Sequence, residues 1–499
     1  MSPRRLYGIV AACALVVYVG ALWNKWALDD LLIVAGSPLV HSSSGWWRAF
    51  LSPYWPPELG ASLYRPLTVA SYVLDWHLDG PAWFHAVNVL WHVGASVLVA
   101  ALTRRWLDDS AALVAGVVFA VHPVHVEAVA MVVGRAELMG AVFVLLAVYA
   151  ALERRSVGWS AACWALGLLC KENAAVAPAL IVTAWACGVG RPSRRQVALF
   201  VVSWVVVGVA YLAAREAVLH RYPAPIIMAA VFIGQRPSPA RLTAVAALAD
   251  VTRLLLVPLK LRADYSPQER TIVSTPLDWR FAAGALCVIG WLTLAAAAWR
   301  RGRRVEVLGL AWMAIAFAPV SNLLFPVGIL IAERTLYLPS AGLAIAAGGF
   351  ARTLPRRTLW LVVAGLALVG GVLTARRVPV WRNNLKATMS ILEDSPRSYV
   401  GPMIMAAIYL EDRRPDKALE AARLASAAFP LEARPYLAGA HAAYLLGQPR
   451  VADSLLARAD HFCNPCRGFY EAEATVARRL GDGAVADSLL LHAERFTGP

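Results

Sequence analysis

The sequence predicts an all-α protein in two parts, a polytopic bundle of membrane helices followed by a short helical solenoid. Three observations carry that prediction. The chain of 499 residues is 59% hydrophobic with a mean hydropathy of +0.57, against roughly 45–50% apolar in an average soluble domain. Arginine pairs and polar clusters alternate between its apolar stretches, as if sorted to opposite faces of a bilayer. The last hundred or so residues lose the apolar stretches and repeat instead at a helical-hairpin period.

A spanning helix needs about 20 mostly apolar residues, and about eleven stretches approach that length. They lie near 7–23, 85–102, 110–126, 137–152, 158–170, 174–189, 197–214, 280–299, 305–320, 337–352 and 358–375. Arg4-Arg5, Arg104-Arg105, Arg154-Arg155, Arg194-Arg195, Arg300-Arg301 and Arg356-Arg357 occupy alternate connections. Basic pairs mark cytoplasmic loops. The formal charge of +15 is therefore largely an orientation signal, and no nucleic-acid partner is expected. The remaining connections hold Asp29-Asp30, the His122–Glu137 cluster, Lys171-Glu172 and Glu333-Arg334, which places the chemistry on the extracytoplasmic side.

The first apolar run, after Ser2-Pro3-Arg4-Arg5, resembles a signal peptide but leads into an acidic, aromatic loop without a clear small-residue cleavage site; it is expected to be retained as the first span. Residues 24–84 then form a long external loop. Within it, Ser44–Leu51 reads as a short interfacial helix bearing Trp46 and Trp47. Residues 217–279 form a second external segment. Its 241–260 stretch carries Asp250, Arg253 and Pro258 and is expected to be re-entrant; if it spans, the topology inverts. Arg376 and Arg377 depart from the charge rule.

Cys13, Cys163, Cys170, Cys187 and Cys287 sit in or beside apolar helices and read as small core residues. Cys463 and Cys466 form a lone CxxC in the tail, where a local disulfide is one possibility and zinc or redox chemistry is weakly signalled. Val451–Leu456 recurs as Val485–Leu490, a shift of 34 that also links Ala406, Ala440 and Ala474, then Ala418, Ala452 and Ala486, then Ala425, Ala459 and Ala493. With Tyr409 and Pro430, this is the tetratricopeptide (TPR) pattern, in which small residues let paired helices pack closely. The expected division is a membrane domain over 1–380, a linker over 381–395 and three repeats over 396–499.

Among the polar clusters, Asp29-Asp30 follows Trp23, Lys25 and Trp26. A carboxylate at a membrane surface can deprotonate an acceptor hydroxyl, with its neighbour raising its pKa or orienting the acceptor; the plainer alternative is a solvated helix cap. Arg65 lies in Tyr64-Arg65-Pro66-Leu67, and His85, Asn88 and His92 share one helical face, as a site or as helix-to-helix hydrogen bonding. His122, His125 and Glu127 have metal-donor chemistry, but Pro123 breaks their helical spacing; hydrogen bonding or substrate contact is expected and no metal. Arg135, Lys171 and Arg334 suit an anionic phosphate, Arg through its bidentate fork. Each has a carboxylate close by in sequence, Glu137, Glu172 and Glu333, with which it could simply pair.

Taken together, YRPL, FHAVNVLWH, HPVHVEAVAMVVGRAEL, KEN and SNLLFPVGILIAERTLYLPSAG resemble the transmembrane and TPR-repeat-containing (TMTC) O-mannosyltransferases and their bacterial relatives. The resemblance covers essentially the whole membrane region, and the repeat tail matches as well. It implies a GT-C glycosyltransferase, an inverting enzyme that uses a polyprenyl- or dolichyl-phosphate sugar as co-substrate and needs no further cofactor. On that resemblance Asp29-Asp30 takes the place of the acidic catalytic motif. Donor phosphate and substrate would be held among Arg65, His85, Asn88, His122, His125, Glu127, Arg135, Glu137, Lys171, Glu172, Glu333, Arg334 and Tyr337. Protein Ser/Thr would be the acceptor, positioned by the tail, with hexose, as in O-mannosylation, the sugar transferred. The chain departs from the animal members in having only three repeats, which puts the acceptor in doubt and leaves a lipid or envelope polysaccharide as an alternative. No Asn-x-Ser/Thr sequon occurs, which with the Ala- and Arg-rich composition favours a bacterial inner membrane and a periplasmic site over an endoplasmic reticulum. A transporter or membrane-anchored scaffold is the competing class, but it needs polar groups along a path across the bilayer rather than at one face.

Overall fold

The computed structural model describes residues 1–56, 63–220, 228–265, 267–463 and 466–496. Helices follow one another throughout, and no strand occurs among the described residues. Six helical segments are long and apolar enough to cross a membrane: Pro3–Trp23, Pro81–Trp106, Val132–Leu152, Arg194–Leu219, Trp279–Arg300 and Arg356–Trp381. A seventh exists if Asp109–Val121 and Pro123–Ala130, bent by 46°, are counted as one. Pro123 causes the bend, because proline has no N–H to continue the ladder, and the His122 Nδ1 accepts the freed Val124 N–H at 3.3 Å.

The other four expected spans are shorter: Val157–Cys170, Ala177–Ala186, Arg304–Phe317 and Tyr337–Ala351. At 1.5 Å per residue they reach roughly 15–23 Å, short of a hydrocarbon core of about 30 Å. All four stop or start at the same end, beside Lys171-Glu172, Ser321-Asn322 or Glu333-Arg334. Polar sequence there replaces the missing turns. Its opposite end holds the basic pairs, with Arg104 on Asp109 at 2.6 Å and the amino terminus on the same carboxylate at 3.0 Å.

Val132–Leu152 is the axis of the bundle, with 83% of its apolar window buried, whereas Arg194–Leu219 and Trp279–Arg300 are 6% and 11% buried and present apolar side chains outward. Where the Arg304 and Tyr337 helices cross, Gly309 and Gly342 meet backbone to backbone. A Cβ on Gly309 would lie 2.6 Å from the Gly342 carbonyl, so only glycine fits. Asn88 and His92 are fully buried and do bond across helices: Asn88 Nδ2 donates to Met131 O at 3.0 Å, and the His92 ring pairs with Ala120 O at 3.0 Å. Trp46 and Trp47 lie on a short helix, Gly45–Arg48, and are half-exposed as an interfacial helix requires.

The 241–260 stretch lies largely within one helix, Pro237–Leu256. After Leu256 the chain doubles back along it: the Arg270 guanidinium reaches Asp250 at 2.7–2.8 Å, and Val273 N–H donates to Thr243 Oγ1 at 2.8 Å. The chain thus returns beside the start of the helix, at Thr243, before the helix Trp279–Arg300 begins.

Residues 381–395 are not a free linker. Trp381 is 1% exposed, the helix Asn384–Asp394 starts at once, and Ala387 belongs to the main membrane-domain core. Six further helices follow, from Val400–Glu411 to Gly483–Ala493, packed in consecutive hairpins. All nine alanines related by the 34-residue shift are buried, which is what close helix pairing demands. Cys463 and Cys466 are joined as a disulfide.

Candidate active site

Asp29 and Asp30 sit between the first span and a turn of π-helix, Leu31–Ala35, and their environments differ sharply. Asp30 is fully buried, and its carboxylate accepts the Val133 N–H at 2.8 Å, the Ala27 N–H at 3.2 Å and the Val132 N–H at 3.3 Å. Burial pushes its carboxyl up to about 7, against the pull of those three donors. Both oxygens are thus committed to backbone, and Asp30 staples the loop to the Val132–Gly134 turn. Asp30, expected with Asp29 as the catalytic pair, thus presents its carboxylate to backbone amides.

Asp29 is half-buried and its carboxylate has no hydrogen-bond partner among the described residues. Burial raises its carboxyl above the ordinary range. Arg334 opposes this, Glu127 adds to it, and Arg434 and Arg65 oppose it more weakly. The residue before it, Leu28, is held at φ +51°, a left-handed conformation that costs a bulky side chain of order 1–3 kcal/mol. Its N–H donates to Asn384 Oδ1 at 3.1 Å, and Lys25 N–H donates to Arg382 O at 2.7 Å. The start of the tail therefore pins the backbone that aims Asp29.

Facing Asp29, Arg334 makes a side-chain ion pair with Glu127 through Nη1, and Glu127 also accepts the Arg334 N–H at 2.8 Å. Arg334 Nε and Nη2 have no partner among the described residues and are free for an anion. Glu333 turns the other way: fully buried, it accepts the Arg262 N–H at 2.6 Å and the Tyr265 hydroxyl at 2.9 Å, and burial pushes it up to about 8. Arg65 clasps Glu172 with Nε and Nη2 at 3.0–3.3 Å, leaving Nη1 unused. Lys171 pairs with Glu137 rather than with Glu172.

Arg135 is turned into the protein interior. It is 0% exposed and fully engaged, by Asp75, Asn88 Oδ1 at 2.8 Å, Ser71 Oγ at 3.3 Å and Phe84 O at 3.0 Å, between the rings of Tyr72 and Phe84. Its expected phosphate contact is replaced by a structural one, and Asn88 is consumed in the same knot. His85, His122, His125 and Tyr337 also belong to the packing. His85 lies 3.4 Å from Lys25 O, His122 Nε2 meets Leu255 O at 3.0 Å, His125 Nε2 meets Ser340 Oγ at 2.6 Å, and the Tyr337 hydroxyl meets His92 at 2.7 Å. No group of three His, Cys, Asp or Glu able to hold a metal occurs among the described residues.

Next to the end of the Pro237–Leu256 helix that His122 contacts lies an apolar cleft of about 420 Å³, lined by Thr252, Leu256, Trp291, Leu294, Leu343 and Phe350 among others. In the tail, Arg434, whose charge acts on the Asp29 carboxyl, makes a two-point pair with Glu432 at 2.8 and 2.9 Å, and the Tyr399 hydroxyl approaches the same carboxylate at 3.4 Å. Asp75, Tyr265, Asn384 and Arg434 were not legible as site residues. Only Asp75, a lone acid within the otherwise apolar helix Pro66–Trp76, gave any signal.

No family model matches the chain. Among curated proteins it is 29% identical over 387 residues to human protein O-mannosyl-transferase TMTC3, covering 68% of this chain and 41% of that protein. The mouse TMTC3 enzyme gives 30% over 387 residues with the same coverage, and human TMTC4 gives 29% over 399 residues, covering 68% and 54%. The chain thus spans about half the length of the curated relatives it matches. Two solved structures superpose loosely, each with a TM-score of 0.42 and 14% identity. One is Cupriavidus metallidurans ArnT bound to undecaprenyl phosphate, covering 99% of this chain and 78% of that one. The other is the Archaeoglobus fulgidus oligosaccharyltransferase tethered to an acceptor peptide, covering 83% and 58%. The TMTC protein O-mannosyl-transferases are homologues of this chain.

Proposed function

We propose that this protein is a GT-C-type glycosyltransferase that moves a hexose from a polyprenyl-phosphate carrier to a protein hydroxyl on the extracytoplasmic side of the membrane. The observation that carries this is the Asp29 carboxylate, without a hydrogen-bond partner among the described residues and under the field of the half-free Arg334, in a bundle that also holds an apolar cleft. A lipid-linked sugar needs those three features together. The cleft takes the isoprenoid chain, Arg334 takes the phosphate, and Asp29 takes the acceptor proton.

In the reaction, Asp29 accepts the proton of a Ser or Thr hydroxyl as that oxygen bonds to the anomeric carbon. The bond from the anomeric carbon to the phosphate oxygen breaks, with its electron pair leaving on the polyprenyl phosphate. One displacement inverts the anomeric centre. Arg334 stabilises the charge growing on the phosphate, an interaction that strengthens in the transition state. Activity in excess chelator is expected, because cations of the chain serve the leaving group. The tail, whose Arg434 acts electrostatically on Asp29, would position the acceptor.

Transfer from radiolabelled polyprenyl-phosphate mannose and glucose to peptide, by protein in nanodiscs, tests the assignment. Asp29→Asn should abolish transfer while the protein stays folded. Wild-type rates from that variant would remove Asp29 as the base, and transfer to lipid or polysaccharide alone would replace the protein acceptor.

A further inference from the structure

A groove of about 580 Å³ crosses the tail between the helices Pro415–Ala428 and Pro449–Phe462, with Tyr436 of the intervening helix at its base. Arg423, Arg450 and Arg458 line it, together with Ser426 and Ser454, and no carboxylate does. All three arginines are exposed, and none has a hydrogen-bond or ion-pair partner for its guanidinium among the described residues. Five other arginines of the tail, Arg413, Arg434, Arg467, Arg478 and Arg479, are each paired with an acid. Three like charges around one concavity repel one another, an arrangement that an anionic occupant would relieve.

We propose that this groove binds an acidic stretch of the acceptor polypeptide. The proposal rests on the transferase reading above. The choice of occupant comes from chain continuity. Pro430 and Tyr436 line the groove and are joined by the Tyr436 hydroxyl donating to Pro430 O at 3.1 Å, while Arg434, in the stretch between them, is near enough to Asp29 for its charge to act on that carboxyl. A polypeptide seated in the groove thus lies on the piece of chain that borders the base. The arginine forks read its carboxylates two oxygens at a time, and Ser426 and Ser454 offer hydroxyls to its backbone. The enzyme would then select hydroxyls by the acidity of flanking sequence, with the groove acting at a distance from the reacting bond.

The test uses full-length protein in phosphatidylcholine nanodiscs and two fluorescent peptides, one with a Ser/Thr centre flanked by Asp and Glu, the other with Asn and Gln in their place. The acidic peptide should bind at least about tenfold more tightly at low salt, and the advantage should shrink as salt screens the exposed charges. The pair Arg450→Glu with Arg458→Glu should abolish the preference, and the milder pair Arg450→Gln with Arg458→Gln should reduce it, both with unchanged helical content. Asp29→Asn should leave peptide binding intact, so binding is decided even if transfer fails for other reasons. In transfer assays the glutamate pair should raise KM for the acidic acceptor with kcat unchanged. Equal binding of the two peptides, or a preference that survives the glutamate pair, overturns the proposal; so does a preference lost when phosphatidylglycerol enters the nanodisc, which would assign the groove to anionic lipid. An unaltered KM removes the acceptor as the occupant.

Discussion

Substituting each of the two neighbouring aspartates by asparagine should separate chemistry from architecture. Asparagine is isosteric but offers one acceptor oxygen where aspartate offers two. At Asp30 the carboxylate serves three backbone donors at 2.8–3.3 Å in a fully buried setting. The amide NH2 of Asp30→Asn must face at least one of those N–H groups, and a buried donor left without an acceptor costs roughly 1–3 kcal/mol, more when the lost acceptor was charged. A loss of about 2–4 kcal/mol is expected, seen as earlier unfolding in detergent, with transfer by the surviving folded fraction lowered but measurable. At Asp29 no hydrogen bond is lost, so stability should hold. Transfer should fall by roughly 10²–10⁴, the usual contribution of a positioned general base. The assay is thermal unfolding followed by intrinsic tryptophan fluorescence, beside initial rates normalised to folded protein. If Asp30→Asn unfolds like wild type and loses all transfer, or Asp29→Asn is the unstable one, then Asp29 is not the base and Asp30 is not the staple.

Other outcomes follow from the same geometry. Because burial holds the Asp29 carboxyl above its ordinary range, transfer should be lost as pH falls through a correspondingly high acid limb; Arg434→Gln, which removes an opposing charge, should move that limb higher still, and Arg434→Lys should restore it. Arg135→Met leaves Asp75 buried without its partner and should destabilise the fold by about 3–5 kcal/mol, with KM for donor unchanged in what remains folded. In the tail, His441 is fully buried between Glu473 at 2.8 Å and Asp482 at 3.1 Å, with Arg413 on the same Asp482. Burial lowers its basicity, but the two carboxylates outweigh it and raise its pKa above the ordinary value. The stability it contributes is fully present below about pH 6.5 and is lost as pH rises through the folded-state value. Thermal unfolding across that interval should show the decline, and His441→Gln should flatten it.

The apolar bundle, the one-sided polar end and the burial of the 34-spaced alanines were legible because hydropathy and period survive in any tertiary context. The partners of the charged residues were not. Arg135, Lys171 and Arg334 each have a carboxylate one or two positions away, yet residues so spaced do not face each other on a helix. The structure gives all three a partner from elsewhere: Asp75, Glu137 and Glu127. The helices Val157–Cys170 and Tyr337–Ala351 fall within a residue of the apolar stretches 158–170 and 337–352, but only the packed site shows where the side chains of Lys171 and Glu333 beside them go. The roles of Asp29 and Asp30 could not be told apart by residue type, since the difference is which carboxylate the Val132–Val133 amides reach.

The bond from Leu28 N–H to Asn384 makes the catalytic loop a loaded part whose latch belongs to the other end of the chain. A truncation after Asp394 keeps the latch and removes only the helical hairpins. A truncation before Arg382 releases it, and Leu28 is then free to relax out of its left-handed conformation and swing Asp29 away from Arg334. The two shortened proteins should differ in how they treat water as acceptor, the first still hydrolysing donor slowly and the second silent, although both cuts leave Asp29, Glu127 and Arg334 in place.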